Sequence, residues 1–339
     1  AFMYTPRHPR RSILIAASAL LTLFLLSFAL GRYGVPPVQV VKILLSRVFP
    51  LTQTWTDNMA IAVWNVRLPR ILLACLVGCA LSAAGTGYQT VFQNPMAAPD
   101  ILGASSGACF GAALAILTGQ PAVMVTVFAF LSSLLSVVLV YLVGRHTRGG
   151  RVVNLLLAGI MVGSLFSAGT SYIKLVADPS NQLPQITYWL MGSLSGTRMH
   201  TVTFAAVCMA VGLLPLFLLR WRMNLLTLSA DEARAMGVHT DRLRLAVIVS
   251  ATVLTASAVS VSGMIGWVGL VIPHLSRRIV GSDCRRLLPM SCLFGAAFLL
   301  LVDNVARTAA SVEIPIGILT AFVGAPFFVY LMVRGGDRP

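Results

Sequence analysis

Residues 101–144 read ILGASSGACFGAALAILTGQPAVMVTVFAFLSSLLSVVLVYLVG, with no Asp, Glu, Lys or Arg among them. The hydrocarbon layer of a bilayer is crossed by roughly 20 apolar residues in helical form. This run is too long for one crossing, and it carries its own break at Gly119-Gln120-Pro121, where glycine and proline interrupt helix. It therefore predicts two membrane helices, 101–118 and 122–144, joined by a tight turn. The rest of the chain has the same character. Hydrophobic residues make up 57% of its 339 residues and charged residues 10%, against about 25% charged in a soluble domain. An all-α polytopic membrane protein is the class these numbers admit.

The same reading gives about ten crossings: 12–31, 71–92, 101–118, 122–144, 152–173, 199–220, 244–262, 265–280, 287–304 and 315–333. Residues 12–31 are longer than the apolar core of a secretory signal, so they are expected to stay as a first helix. Residues 32–70, with Pro36-Pro37, Trp55 and Trp64, form a polar excursion whose tryptophans suit the interfacial belt. The segment 179–197 is expected to be a partial, re-entrant piece. The whole of 1–339 reads as a single transmembrane domain. With an N-terminus inside, the cytoplasmic loops hold 17 of the 25 Lys and Arg, leaving eight outside. That bias sets orientation and puts both termini in the cytoplasm. The formal net charge of +15 then faces the anionic leaflet, and nucleic acid is not needed to explain it.

One polar island interrupts the apolar runs. Residues 228–245 (LSADEARAMGVHTDRLRL) carry three of the ten acidic residues and three basic ones. Ser229 and Glu232 have the spacing of a capping box, Gly237 suits a helix C-terminus, and Thr240 is a candidate cap for a second helix. The island predicts two short helices, 228–243, hinged at a glycine on the cytoplasmic surface. Glycine spacing adds packing information. Gly103, Gly107 and Gly111, and likewise Gly159 and Gly163, recur every fourth residue, which allows backbones to approach closely or lines a pore.

What is missing narrows the function. Ion-coupled transport places costly ionisable groups at membrane depth, yet Asp100, Asp178 and Asp303 fall at predicted helix ends. Neither lysine, Lys42 or Lys174, follows a glycine, so there is no P-loop. The six cysteines lie mostly within apolar runs with no metal-ligand spacing and read as small buried residues. A chain of this kind neither hydrolyses ATP nor relays protons by itself. If it transports actively, a partner supplies the energy and docks on the island. The rival is a channel or secondary transporter working alone.

Several blocks in order carry a resemblance: Arg67-Leu-Pro-Arg70; Gln93 to Gly107 (QNPMAAPDILGASSG); Leu155 to Gly159; Leu228 to Gly237; Gly266 to His274 (GWVGLVIPH); and Glu313 to Phe327 (EIPIGILTAFVGAPF). The chain resembles the permease subunits of bacterial ABC importers for iron-siderophores, haem and cobalamin, the type II import fold. The resemblance implies a homodimer in the inner membrane, two ATPase subunits below and a periplasmic binding protein above. It implies no cofactor bound by this chain, with ATP and Mg on the partner ATPase. By the same resemblance, Arg67, Arg70 and Arg307 receive acidic residues of the binding protein, Asn94, Pro95 and Met96 form an inner gate, and Ser229, Glu232, Ala233, Arg234 and Gly237 engage the ATPase. His274 marks the family without an assigned role. An uncharged pathway suits a bulky chelate better than a bare ion.

Overall fold

The computed structural model describes residues 9–31, 33–47, 49–50, 52–146, 151–227, 232, 236 and 239–335. Twelve helices in these residues build the fold. They are α1 (Pro9–Ala29), α2 (Pro37–Leu45), α3 (Asp57–Val91), α4 (Ala104–Leu117), α5 (Ala122–His146), α6 (Arg151–Val176), α7 (Gln182–Leu190), α8 (Met199–Met223), α9 (Thr240–Ser262), α10 (Val268–Val280), α11 (Cys284–Thr308) and α12 (Ile316–Gly335). Seven are long and apolar enough to cross a membrane, and α4 and the Ile316–Tyr330 part of α12 are shorter apolar helices. With α10 they occupy the ten positions the apolar runs predict. The segment expected to be partial is the nine-residue helix α7.

Helices α1 and α11 run parallel. Ala16 packs with Met290 near their beginnings, and Asn304 donates to Ser27 Oγ at 2.7 Å near their ends. The end of the molecule where α1 and α11 begin is called the near end, and the opposite one the far end. Hairpins alternate between them.

Helix α3 is the centre of the bundle, and small residues explain why. Ala74, Ala80, Ala83 and Ala84 are all fully buried, leaving α9, α10 and α11 room to press against it. At Gly78 an added Cβ would lie 2.1 Å from the carbonyl oxygen of Gly295, and at Gly85 1.8 Å from that of Gly269. Such distances exist only because neither partner has a side chain there. The predicted glycine rows act in the same way: Gly107 and Gly111 press on the backbone of Ser132 and Phe128 in α5, and Gly159 on Ile101. Packing accounts for these rows.

The polar excursion ends earlier than expected. Helix α3 starts at Asp57, capped by Thr56, whose hydroxyl accepts from Met59 N at 3.4 Å. It passes through a π-helical stretch, Ala62–Arg67, just before Pro69. Proline lacks the N–H and its ring crowds the carbonyl four residues back. Widening the helix by one residue accommodates it without a break, which sequence periodicity did not show. Thr240 is likewise the first residue of the long helix α9, with His239 in the capping position. It does not cap a second short helix.

Candidate functional site

The chain from Phe92 to Gly103 is the first element of interest. It leaves the near end of α3 and climbs back into the bundle without regular helix until Pro99–Leu102 forms one 3₁₀ turn. Gly103, at φ +71°, then opens α4. The depth reached can be read from its neighbours. A Cβ added at Gly269 would meet the ring of Pro99 and the carbonyl of Leu81, and Leu81 is about 15 Å along α3 from Val91 at 1.5 Å per residue. From the far end a second irregular stretch, Gly263–Trp267, descends to the start of α10 beside the same Pro99. Two short helices, α4 and α10, thus begin next to one another at mid-depth. Irregular backbone at that depth is tolerated where protein buries it or a wet cavity adjoins it.

Between these two beginnings sits Asp100. Its carboxylate accepts from Ser105 Oγ, and it is open to solvent although it lies deep within the envelope of the chain. Its position differs from the sequence expectation that no charged group lies at mid-span. The chain folds inward at residues where uninterrupted helices would have kept Asp100 at the surface. Helix α6, which packs on Ile101 and Gly103 through Gly159 and Gly163, leaves Ile160, Ser164, Ser167 and Ser171 uncovered. The hydroxyls of Ser164 and Ser171 bond back to the carbonyls of Ile160 and Ser167 at 2.8 and 3.0 Å.

The predicted gate residues form the near-end turn of this climbing segment. Asn94 Oδ1 accepts from Met96 N at 2.8 Å, an Asx turn, and Asn94, Pro95 and Met96 are all exposed. Gln93 has φ +49° and donates to the carbonyl of Leu226. That contact ties the turn to the 3₁₀ segment Asn224–Thr227, which leads directly into the polar island. Ser229, Ala233, Arg234 and Gly237 lie outside the described residues. Glu232 is helical and exposed, and its carbonyl accepts from Met236 N at 3.2 Å. On the other side of the 3₁₀ segment, Asn224 clamps the start of α11. Its amide donates to Asp283 Oδ1 at 2.8 Å and its carbonyl oxygen accepts from Cys284 N at 2.8 Å. Partial burial pushes the Asp283 carboxyl up, but hydrogen bonds from Arg285 and Asn224 outweigh that and hold it below the usual carboxylate range.

Arg67, Arg70 and Arg307 come together at the far end, as the sequence predicts, but they turn inward. Their exposures are 4%, 7% and 7%. Arg70 meets Asp303 at 2.8 Å and also pairs with Glu313, while Arg307 Nε lies 3.1 Å from Asp303. Arg67 donates to the carbonyls of Phe28 and Tyr33, where α1 ends. Arg307 also donates to Asn304, which bonds on to Ser27. These are internal bonds tying α1, α3 and α11 together, in place of arginine forks held out to water. The cause is Asp303, fully buried, which needs compensating charge. Its spacing of four from Arg307 on a helix was the available signal. Nothing in the sequence linked Asn224 to Asp283.

A cavity of about 870 Å³ opens at the far end, bordered by Gln120, Tyr188, Trp189, Arg198 and His200. His274, without a role from the sequence, has its Nε2 buried with no hydrogen-bond partner. Among the described residues, no group of His, Cys, Asp and Glu is arranged to hold a metal.

Comparison with known proteins agrees with this architecture. Residues 19–334 match the FecCD transport family. The molybdate import system permease protein MolB of Haemophilus influenzae is 40% identical over 92% of this chain and 93% of its own. The hemin transport system permease protein HmuU of Yersinia pestis is 38% identical over 85% and 88%. A solved structure described as an inward-facing conformation of a metal-chelate type ABC transporter superposes with TM-score 0.85 at 37% identity, covering 95% of this chain and 98% of that one. A bundle centred on α3, with two short helices starting at mid-depth and relatives of this kind along nearly its whole length, belongs to the FecCD transport family as a membrane-embedded permease subunit, not an enzyme.

Proposed function

We propose that two copies of this chain form a homodimer in a bacterial inner membrane and move a metal chelate from periplasm to cytoplasm. A separate ATPase pair would dock on the near end, and a periplasmic binding protein on the far end. The observation that carries this is the uncovered face of α6. Its Ser164, Ser167 and Ser171 follow one helical face and share it with the exposed apolar residues Leu157, Ile160 and Leu175, a mixed surface that fits a second copy of the chain and a path between the two. The near end is then cytoplasmic. ATP binding would drive the Glu232 segments of the two copies together. The motion would pass through Asn224–Thr227 and the Gln93–Leu226 bond to the Asn94–Met96 turn, where Met96, 48% exposed, is an adaptable apolar plug.

The far end is the docking face for the binding protein. Arg67, Arg70 and Arg307 outnumber Asp303 and Glu313, so one positive charge remains in excess, and a carrier's carboxylate would compete with Glu313 for Arg70. The cargo is a metal complex of the iron-siderophore, haem or cobalamin class. A candidate ABC ATPase should co-purify with the chain in detergent, and Glu232→Arg should abolish that capture. Undiminished capture by the variant would remove the assignment of the island. Uphill transport by the chain alone in vesicles would favour the stand-alone reading.

A further inference from the structure

We propose that Asp100 is a built-in counter-ion that sets the charge preference of the path, turning away free oxyanions at mid-membrane. The inference rests on reading the crevice beside α6 as the cargo path. It starts from the two short helices. The N-terminus of a helix carries about half a positive charge from its unpaired N–H groups, and discontinuous membrane helices use such ends to hold anionic groups of a substrate. Here α4 begins at Ala104 and α10 at Val268, with Pro99 against Gly269. Left as bare backbone, this meeting point would attract anions. The chain places its own carboxylate there. Asp100 lies on the 3₁₀ turn that leads into α4, is bonded to Ser105 Oγ in the first turn of α4, and remains open to solvent.

The charges offset. Two half-charges from the helix ends meet one negative charge from Asp100, so the crevice offers little attraction to an anion. A free oxyanion of the kind the MolB relative is named for would meet a carboxylate where it needs a donor. A cargo that presents amine or amide donors, or net positive charge, would find an acceptor. Ser105 holds the carboxylate in position and is a positioning residue for this effect.

The test uses the full-length chain in lipid vesicles, with its native cysteines replaced and a single reporter, Ala98→Cys. Only Pro99 separates the reporter from Asp100, so chain geometry keeps their Cα atoms within about 7 Å. The probes are the anionic sulfonatoethyl and the cationic trimethylammonium-ethyl methanethiosulfonates. Asp100→Asn should raise the anionic-to-cationic rate ratio about fivefold or more, as expected for one unit charge at that distance in a wetted site. Asp100→Glu should leave the ratio near the parent value. In the parent, the ratio should also rise towards unity from low to molar salt, a readout that does not require the asparagine variant to fold. A ratio unchanged both by Asp100→Asn and by salt would overturn the proposal. So would a reporter that neither reagent reaches. ATPase capture through Glu232 tests the transport reading separately, so failure of one leaves the other standing.

Discussion

Replacing Asp303 by Asn removes one negative charge from the far-end network and little volume. The wild-type carboxylate is fully buried; one oxygen is hydrogen-bonded by Arg70 at 2.8 Å and the other lies 3.1 Å from Arg307 Nε as an ion pair outside hydrogen-bond geometry. An amide can keep its oxygen towards Arg70, but it carries no charge, and its NH₂ then faces the Arg307 guanidinium that the carboxylate had balanced. Arg70 keeps Glu313, which leaves Arg307 with the larger loss. Removing one partner of a buried ion pair costs about 3–5 kcal/mol, and that is the expected loss for Asp303→Asn. In detergent, the apparent unfolding temperature should fall by several degrees at least. The compensating variant Asp303→Asn with Arg307→Gln removes the stranded charge as well and should recover more than half of the loss. This would be seen as a coupling between neighbouring sites in a double-mutant cycle. A cost below about 1 kcal/mol for the single variant would refute the reasoning. It would mean that water or a partner, rather than Asp303, compensates the arginines.

Further outcomes follow from the packing, the near-end clamp and the turn. Gly85→Ala forces a Cβ to within 1.8 Å of the Gly269 carbonyl oxygen; α3 and α10 must separate, at a cost of about 1–3 kcal/mol or more, and thermal unfolding of the purified variant measures it. Asp283 has a carboxyl held below its ordinary value of 3.8, so it contributes stability above that pH and loses it as pH falls through the depressed value. Asp283→Asn should therefore flatten the acid limb of the stability–pH curve below about pH 4, and an unchanged limb would contradict the clamp. Asn94→Ala deletes the 2.8 Å bond to Met96 N. It should loosen the turn by about 1 kcal/mol, read as faster exchange of the Met96 amide with little change in overall unfolding.

The long apolar helices were legible because a membrane helix has to be both long and uncharged, and runs such as 122–144 and 199–220 are unmistakable on that ground. The same logic hid the irregular parts. Breaks were readable at 93–100 and 263–264, but 101–103 and 265–267 were counted into the neighbouring crossings, and the depth at which the backbone leaves the helix was not visible. Gly103 at a left-handed φ and the Pro99–Gly269 contact are the physical marks of that departure, and both depend on distant partners. The start of α3 was misplaced because the crossing was counted from the uncharged run after Arg70, whereas the helix begins at Asp57 and carries Arg67 and Arg70 within it. Arg67, Arg70 and Arg307 were readable as a group. Their inward turn depends on Asp303 and Glu313, whose pairing with Arg70 spans most of the chain length. The uncovered serines of α6 were present in the sequence as a helical stripe, but only the packed bundle shows which face stays open.

The most direct test of the account concerns which side of the membrane the polar island occupies. In a chain whose native cysteines are replaced, Met236→Cys reports the island and Ser195→Cys the far end; both positions are exposed. A membrane-impermeant maleimide applied to inside-out vesicles should label Met236→Cys and spare Ser195→Cys, with the reverse pattern in right-side-out vesicles. Labelling of Met236→Cys from the periplasmic side would contradict an ATPase-driven permease and leave the island without its partner.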